Sequence, residues 1–102
     1  MLEFEWDDAK ARANARKHGV TFERAKLAFK DPFAIAALDD REDYGEERFV
    51  LLGLADGPLL FVAYTERGDR LRIISARRAT RHEQDIYERE NKKTRRSPPR
   101  DD

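Results

Sequence analysis

Five arginines fall within residues 70–83: Arg70, Arg72, Arg77, Arg78 and Arg81. A guanidinium is always charged and presents a planar fork of donors that matches phosphate oxygens. The run that carries them, RLRIISARRATRHE, begins as a β-branched strand and passes directly into a helix start. The cations would therefore be held on a rigid strand end, which suits a phosphate platform better than a charged loop would. The chemistry within reach is phosphodiester binding, and also cleavage if proton-transfer groups stand nearby. Breaking a phosphodiester would need a base to free the attacking nucleophile, a cation to stabilise the phosphorane oxygens, and an acid to protonate the leaving oxygen.

Arg72, Arg77 and Arg78 are the first choices for the electrostatic role. Counting by two places Arg70 and Arg72 on one strand face and Leu71 and Ile73 on the other. Arg77 and Arg78 are expected to leave the strand at the helix entrance, where one can face a ligand in either register. The bland alternative is surface ion pairing with Glu47, Glu66 or Asp69. Arg70, Arg81 and Lys17 are candidates for contacting phosphate without taking part in the reaction. His18 and His82 are the only histidines, and imidazole is the natural proton shuttle near neutral pH. His18 ends a helix, where an imidazolium suits the negative pole, and His82 falls in the first turn of the last helix. Two histidines without nearby acidic ligand spacing make no metal site, and no cofactor is expected. Tyr87 is read as helix-to-sheet packing, and Phe4 and Trp6 as core.

The elements that must hold these residues follow from periodicity. Leu2–Trp6 alternates apolar and acidic residues as a half-buried strand does. Asp7 is placed to cap an alanine-rich helix from Asp8 to His18, with Gly19 as its left-handed stop. Thr21 caps a second helix in which Phe22, Ala25 and Phe29 recur, and Asp31-Pro32 ends it. Strands are expected at 34–38, 48–54, 59–65 and 71–76, separated by an acidic loop and by turns at Asp56-Gly57 and 67–69. Thr80 and Glu83 have capping-box spacing and open a third helix to about Asn91. The order β-α-α-β-β-β-β-α implies an α+β domain over residues 1–91. Its core would be an antiparallel four-stranded meander with the two N-terminal helices on one face. The strands are apolar on both sides, so the last helix or a partner must cover the second face. The segment 92–102 has no apolar anchor and is expected to be a disordered tail.

Composition narrows the class. With 102 residues, 39% apolar and 41% charged, the chain has room for one modest core. There is no cysteine, which removes disulfides, zinc–thiolate sites and thiol catalysis. No apolar run approaches the roughly 18–20 residues that span a bilayer. The N-terminus lacks the basic-then-apolar order of a signal peptide, so a cytoplasmic location is expected. The net charge of zero conceals polarity: residues 1–69 hold 10 Lys/Arg against 15 Asp/Glu, and residues 70–102 hold 11 against 6. Such a chain can meet a polyanion with one end while its overall charge stays low.

Several segments, in order, resemble the BrnT toxin family: Phe4-Glu-Trp-Asp7, Asn14…Lys17-His-Gly-Val-x-Phe22, Asp31-Pro32, Glu46-Glu-Arg-Phe49 and Arg72-Ile-Ile-Ser-Ala-Arg-Arg-Ala79. Together they cover nearly all of residues 2–90. The resemblance implies a RelE-like ribonuclease fold and a type II toxin–antitoxin toxin that cleaves RNA without a metal and arrests growth. Its partner would be a BrnA-like ribbon-helix-helix antitoxin, and the complex would reach operator DNA only through that antitoxin. The resemblance also makes candidates of Glu47 and Arg48, as proton acceptor and guanidinium, and strengthens His18 as a catalytic residue. Otherwise Glu47 and Arg48 would form a cross-strand salt bridge worth about 0–1 kcal/mol. Two other classes fit the same residues: a non-catalytic RNA- or DNA-binding module, and a protein-interaction module that uses the apolar second sheet face.

Overall fold

A computed structural model describes residues 2–95 of the chain. The elements are β1 (Glu3–Glu5), α1 (Asp8–His18), α2 (Phe22–Ala28), β2 (Ile35–Asp39), β3 (Arg48–Leu54), β4 (Leu59–Arg67), β5 (Arg70–Arg78) and α3 (Arg81–Arg95). The α+β class and the element order are as expected, but the sheet is not. It has five strands in the order β1-β5-β4-β3-β2, with β1 parallel to β5 and the remaining pairs antiparallel. The four-stranded meander is therefore part of a mixed sheet. Alternation explains why β1 joins it. Phe4 and Trp6 turn inward and meet Phe29 and Phe22 edge-on at 5.1 and 5.7 Å. Glu3 and Glu5 then emerge on the opposite face beside Arg70 and Arg72.

Both N-terminal helices begin as their sequences require and α1 ends at its glycine, whereas α2 stops at Ala28 with Phe29 as its C-cap, short of the expected end at Asp31-Pro32. The Asp7 carboxylate accepts from the Lys10 N–H at 2.9 Å, Thr21 Oγ1 accepts from the Arg24 N–H at 3.0 Å, and Gly19 sits at φ 70°. The helices pack on one sheet face, burying Phe22, Ala25 and Ala28 against Leu51, Leu60, Val62 and Ile73. At Gly53 the backbones come so close that a Cβ would collide with the Ala28 carbonyl oxygen. Asn14 fastens α1 to β5. Its amide accepts from the Ala76 N–H at 3.1 Å and donates to the carbonyls of Ala76 and Val20 at 2.8 and 3.0 Å. It thereby satisfies both main-chain groups of Ala76, just before Arg77 and Arg78.

The strand carrying the arginines is longer than its β-branched run suggests, and it is irregular. Ile73 pairs with Tyr64 and Ser75 with Ala63, so Ile74 is an extra residue in a β-bulge. Side chains alternate along a strand, and the extra residue inverts the alternation beyond it. Ile73 and Ala76 accordingly both enter the core.

The Thr80–Glu83 capping box opens α3: the Thr80 N–H donates to Glu83 Oε1 at 2.9 Å and the Glu83 N–H to Thr80 Oγ1 at 3.1 Å. Further along, the Tyr87 hydroxyl donates to Asp31 at 2.5 Å and the Asn91 amide to the Phe33 carbonyl at 3.2 Å. Asp31 also accepts from the N–H groups of Leu54 and Phe33. Burial works against charge on Asp31, but these three hydrogen bonds outweigh it and hold its carboxyl below the usual range. Tyr87 thus ties helix to sheet. The helix runs to Arg95, past the expected end at Asn91. Of the expected disordered tail, residues 96–102 lie outside the described residues.

Candidate functional site

The face opposite α1 and α2 collects the chemistry. Arg70 and Arg72 precede the bulge and pair with Arg67 and Thr65, whereas Arg77 follows it and pairs with Phe61. Tyr64, Val62 and Leu60 occupy the core face of β4, so Thr65 and Phe61 point the other way with their arginine partners. A regular strand would have put Arg72 and Arg77, five residues apart, on opposite faces. The bulge puts them on the same one. Arg77 and Arg78 both remain within β5 rather than leaving at the helix entrance, so they point in opposite directions.

At the β1 end of this face the arginines are paired. Arg72 donates to Glu5 at 2.9 Å, and Arg70 lies 3.6 Å from Glu3. Arg48 stacks over the Tyr44 ring at 4.2 Å and lies 3.5 Å from Glu46, too far to satisfy its buried Nε. The carboxylates are thus neither Glu47, Glu66 nor Asp69. Glu47 is exposed, and its carbonyl accepts from the Thr65 hydroxyl at 2.6 Å.

Toward α3 the face becomes a groove of about 380 Å³ between the helix and β2, β3 and β4. Phe61 is its aromatic wall, with the Arg77 guanidinium 4.2 Å and the Arg41 guanidinium 5.8 Å from the ring centroid. His82 lines the groove from the first turn of α3. Arg77 is locked in place: both its terminal nitrogens donate to Glu83, each at 2.9 Å, and one also reaches the Arg78 carbonyl. That fork holds the Glu83 carboxyl below the usual range, against the effect of burial. Arg41 is similarly forked onto Asp39, at 2.7 and 2.8 Å, and its hydrogen bonds push the Asp39 carboxyl down to about 2.

The remaining sequence candidates lie elsewhere. Arg78 is exposed on the helix-bearing side, in a recess it shares with Gly19, Val20 and Arg24. His18 and Lys17 precede that recess on α1, so they are not brought to the open face. Arg81 is exposed and lies 3.7 Å from Asp85, one helical turn on. Sequence reasoning gave Arg41 no role and ranked His82 below His18. The one available signal was the capping box, which fixes the first turn of α3 and with it the position of His82.

Among the described residues no group of three or more His, Asp or Glu side chains is arranged to hold a metal ion. No helix among them is long and apolar enough to cross a membrane. No curated protein matches the chain. The family model for the ribonuclease toxin, BrnT, of type II toxin–antitoxin systems matches residues 6–83, from the end of β1 through the capping box of α3. That span takes in β2 to β5 and the lip of the groove, and the chain belongs to this family of ribonuclease toxins.

Proposed function

We propose that the protein is a cytoplasmic endoribonuclease of RelE-like fold that cuts RNA without a metal ion and arrests growth. A BrnA-like ribbon-helix-helix antitoxin would neutralise it, and the two together would repress their own operon. The observation that carries the catalytic reading is the trio around the groove: Arg77 and Arg41 against Phe61, with His82 at the lip. Arg77 is held by Glu83, so as donor to a phosphorane oxygen it would need little reorganisation as charge develops. His82 takes the proton from the attacking 2′-hydroxyl. The bond from phosphorus to the 5′-oxygen breaks, and water supplies the proton to that oxygen. The products are a 2′,3′-cyclic phosphate and a 5′-hydroxyl. Arg72, Arg70 and Arg48 guide the rest of the strand along the open face, with Glu47 at its border. His18, Lys17 and Arg78 take no part in the reaction on this reading.

The test uses purified toxin, free of antitoxin, and total RNA in the presence of EDTA. Fragments ending in 2′,3′-cyclic phosphate are expected. Intact RNA that nevertheless binds the protein would support a non-catalytic binding module. Co-expression of a ribbon-helix-helix antitoxin should restore growth to cells making the toxin.

A further inference from the structure

We propose that the groove beneath α3 is a nucleobase seat that grips a base by its faces and does not read its edge. This deepens the functional reading above and rests on it, because the base is taken to belong to the RNA being cut. The argument begins with an incomplete seal. The face of the sheet under α3 is apolar, built from Val50, Leu52 and Phe61, but the helix contributes Ile86 as its only aliphatic side chain among the groove residues. Val50 and Phe61 remain half-buried. The open space, about 380 Å³, is in the range that takes one small ligand such as a nucleotide.

The rim decides what kind of ligand fits. Two guanidinia stand at the Phe61 ring, so an occupant with a flat apolar body and an attached anion meets both the floor and the charge. A nucleobase with its phosphate has that composition, and bases stack on aromatic rings and guanidinium planes alike. Arg41 is well placed to cover a base from the solvent side. Its side chain is 62% exposed, and it stays tethered to Asp39 while its tip lies 5.8 Å from the ring centroid.

The lack of edge reading follows from counting acceptors. A carboxylate has about four lone-pair sites. Asp39 already accepts from Arg41 Nε, Arg41 Nη2, the Arg41 N–H and the Tyr44 hydroxyl. Glu83 accepts both nitrogens of the Arg77 fork and the Thr80 N–H. Asp39 is filled and Glu83 keeps a single acceptor, while Asp40 and His82, the other polar residues of the groove apart from Arg41, are exposed to water that competes for a base edge. A seat built this way holds any base, the larger purines somewhat more tightly.

The experiment titrates wild-type toxin with the four nucleoside 5′-monophosphates and with ribose 5-phosphate, read by backbone and methyl NMR. Expected are shifts centred on Phe61, Ile86 and Val50 for all four nucleotides, with affinities within about tenfold of one another. Ribose 5-phosphate should bind about 5–150-fold more weakly, the equivalent of one stacked base. Phe61→Leu keeps an apolar wall and should reduce the nucleotides to the level of ribose 5-phosphate. Arg41→Lys keeps a cation beside Asp39 but removes one guanidinium plane, and should narrow the stacking difference without abolishing it. Equal binding of ribose 5-phosphate, or shifts centred outside the groove, would overturn the seat, and so would occupancy only by an apolar antitoxin peptide. A preference for one base beyond a hundredfold would overturn its indifference to base identity. Because mononucleotides cannot be cut, nucleotide binding without RNA cleavage would sink the enzymatic reading alone. Cleavage with nucleotides bound elsewhere would sink the seat alone.

Discussion

The groove under α3 and the recess at the end of β5 are built from consecutive arginines that meet opposite circumstances. Arg77 is clamped by a bidentate carboxylate and laid against an aromatic ring. Arg78, one residue later, is exposed in a polar hollow beside Gly19 and Arg24. Both carry the same charge, and on a linear reading both are equally good phosphate ligands. What separates them is preorganisation. A guanidinium already fixed in its working position loses little freedom when a transition state forms, whereas a solvated one must be ordered first. Fixed charge marks a site better than free charge does.

The sharpest way to break this contrast is to remove each arginine in turn. Arg77→Ala should lower RNA cleavage about 100–1000-fold, and Arg78→Ala should leave it nearly unchanged, as read from initial rates on a short oligonucleotide. The opposite ranking would move the reaction to the recess. Asn14 supports both regions, since it fastens β5 immediately ahead of them. Asn14→Ala should cost about 2–3 kcal/mol in urea denaturation, because it strands buried backbone groups of Ala76. Tyr87→Phe should cost about 1 kcal/mol and speed amide exchange in α3, loosening the groove while the recess stays as it was. An unchanged exchange pattern would mean that the Asp31 contact is not what holds the helix.

The smallest effect is in pH dependence. The folded-state pKa of Glu83 is depressed, so its contribution to stability is complete above the unfolded value near 4.5 and is lost as pH falls through the folded value. Asp39 adds a loss of the same sign at lower pH, between its ordinary 3.8 and about 2. The difference between wild type and Glu83→Gln therefore isolates the clamp. It should be constant near neutrality and shrink as the solution is acidified below about pH 4.5. A difference that grows on acidification would show that Arg77 does not stabilise the Glu83 charge.

Much of the architecture was legible in the chain because local rules and the fold agreed. Asp7, Thr21, Gly19 and the Thr80–Glu83 box end or begin helices where their side-chain chemistry requires it. Period-two alternation found β1, and apolar runs bounded by turn residues found the other four strands. Neither could say that β1 lies parallel beside β5, because strand order depends on which edge can accept Phe4 and Trp6. The site was legible only as a list of types. Arg77 was identified, but its carboxylate partner was not, since Glu83 reads equally well as a cap. Arg41 sits in an acidic stretch and draws no notice until the fold carries it across to Phe61. His18 and His82 look alike on paper. They end on opposite sides of the sheet, which no spacing rule foretells.

The irregularity at Ile74 means that faces cannot be assigned by parity alone in this part of the chain. Delete that residue, and the ladder would straighten with everything downstream facing as it does now, Arg77 on the open face and Arg78 toward the helices, because Arg72 and Arg77 would then stand four positions apart. A relative lacking the insertion could thus hold its clamped guanidinium at an even interval from Arg72 and still build the same surface. In comparing such chains, the residue to align first would be the unpaired isoleucine, ahead of any charge.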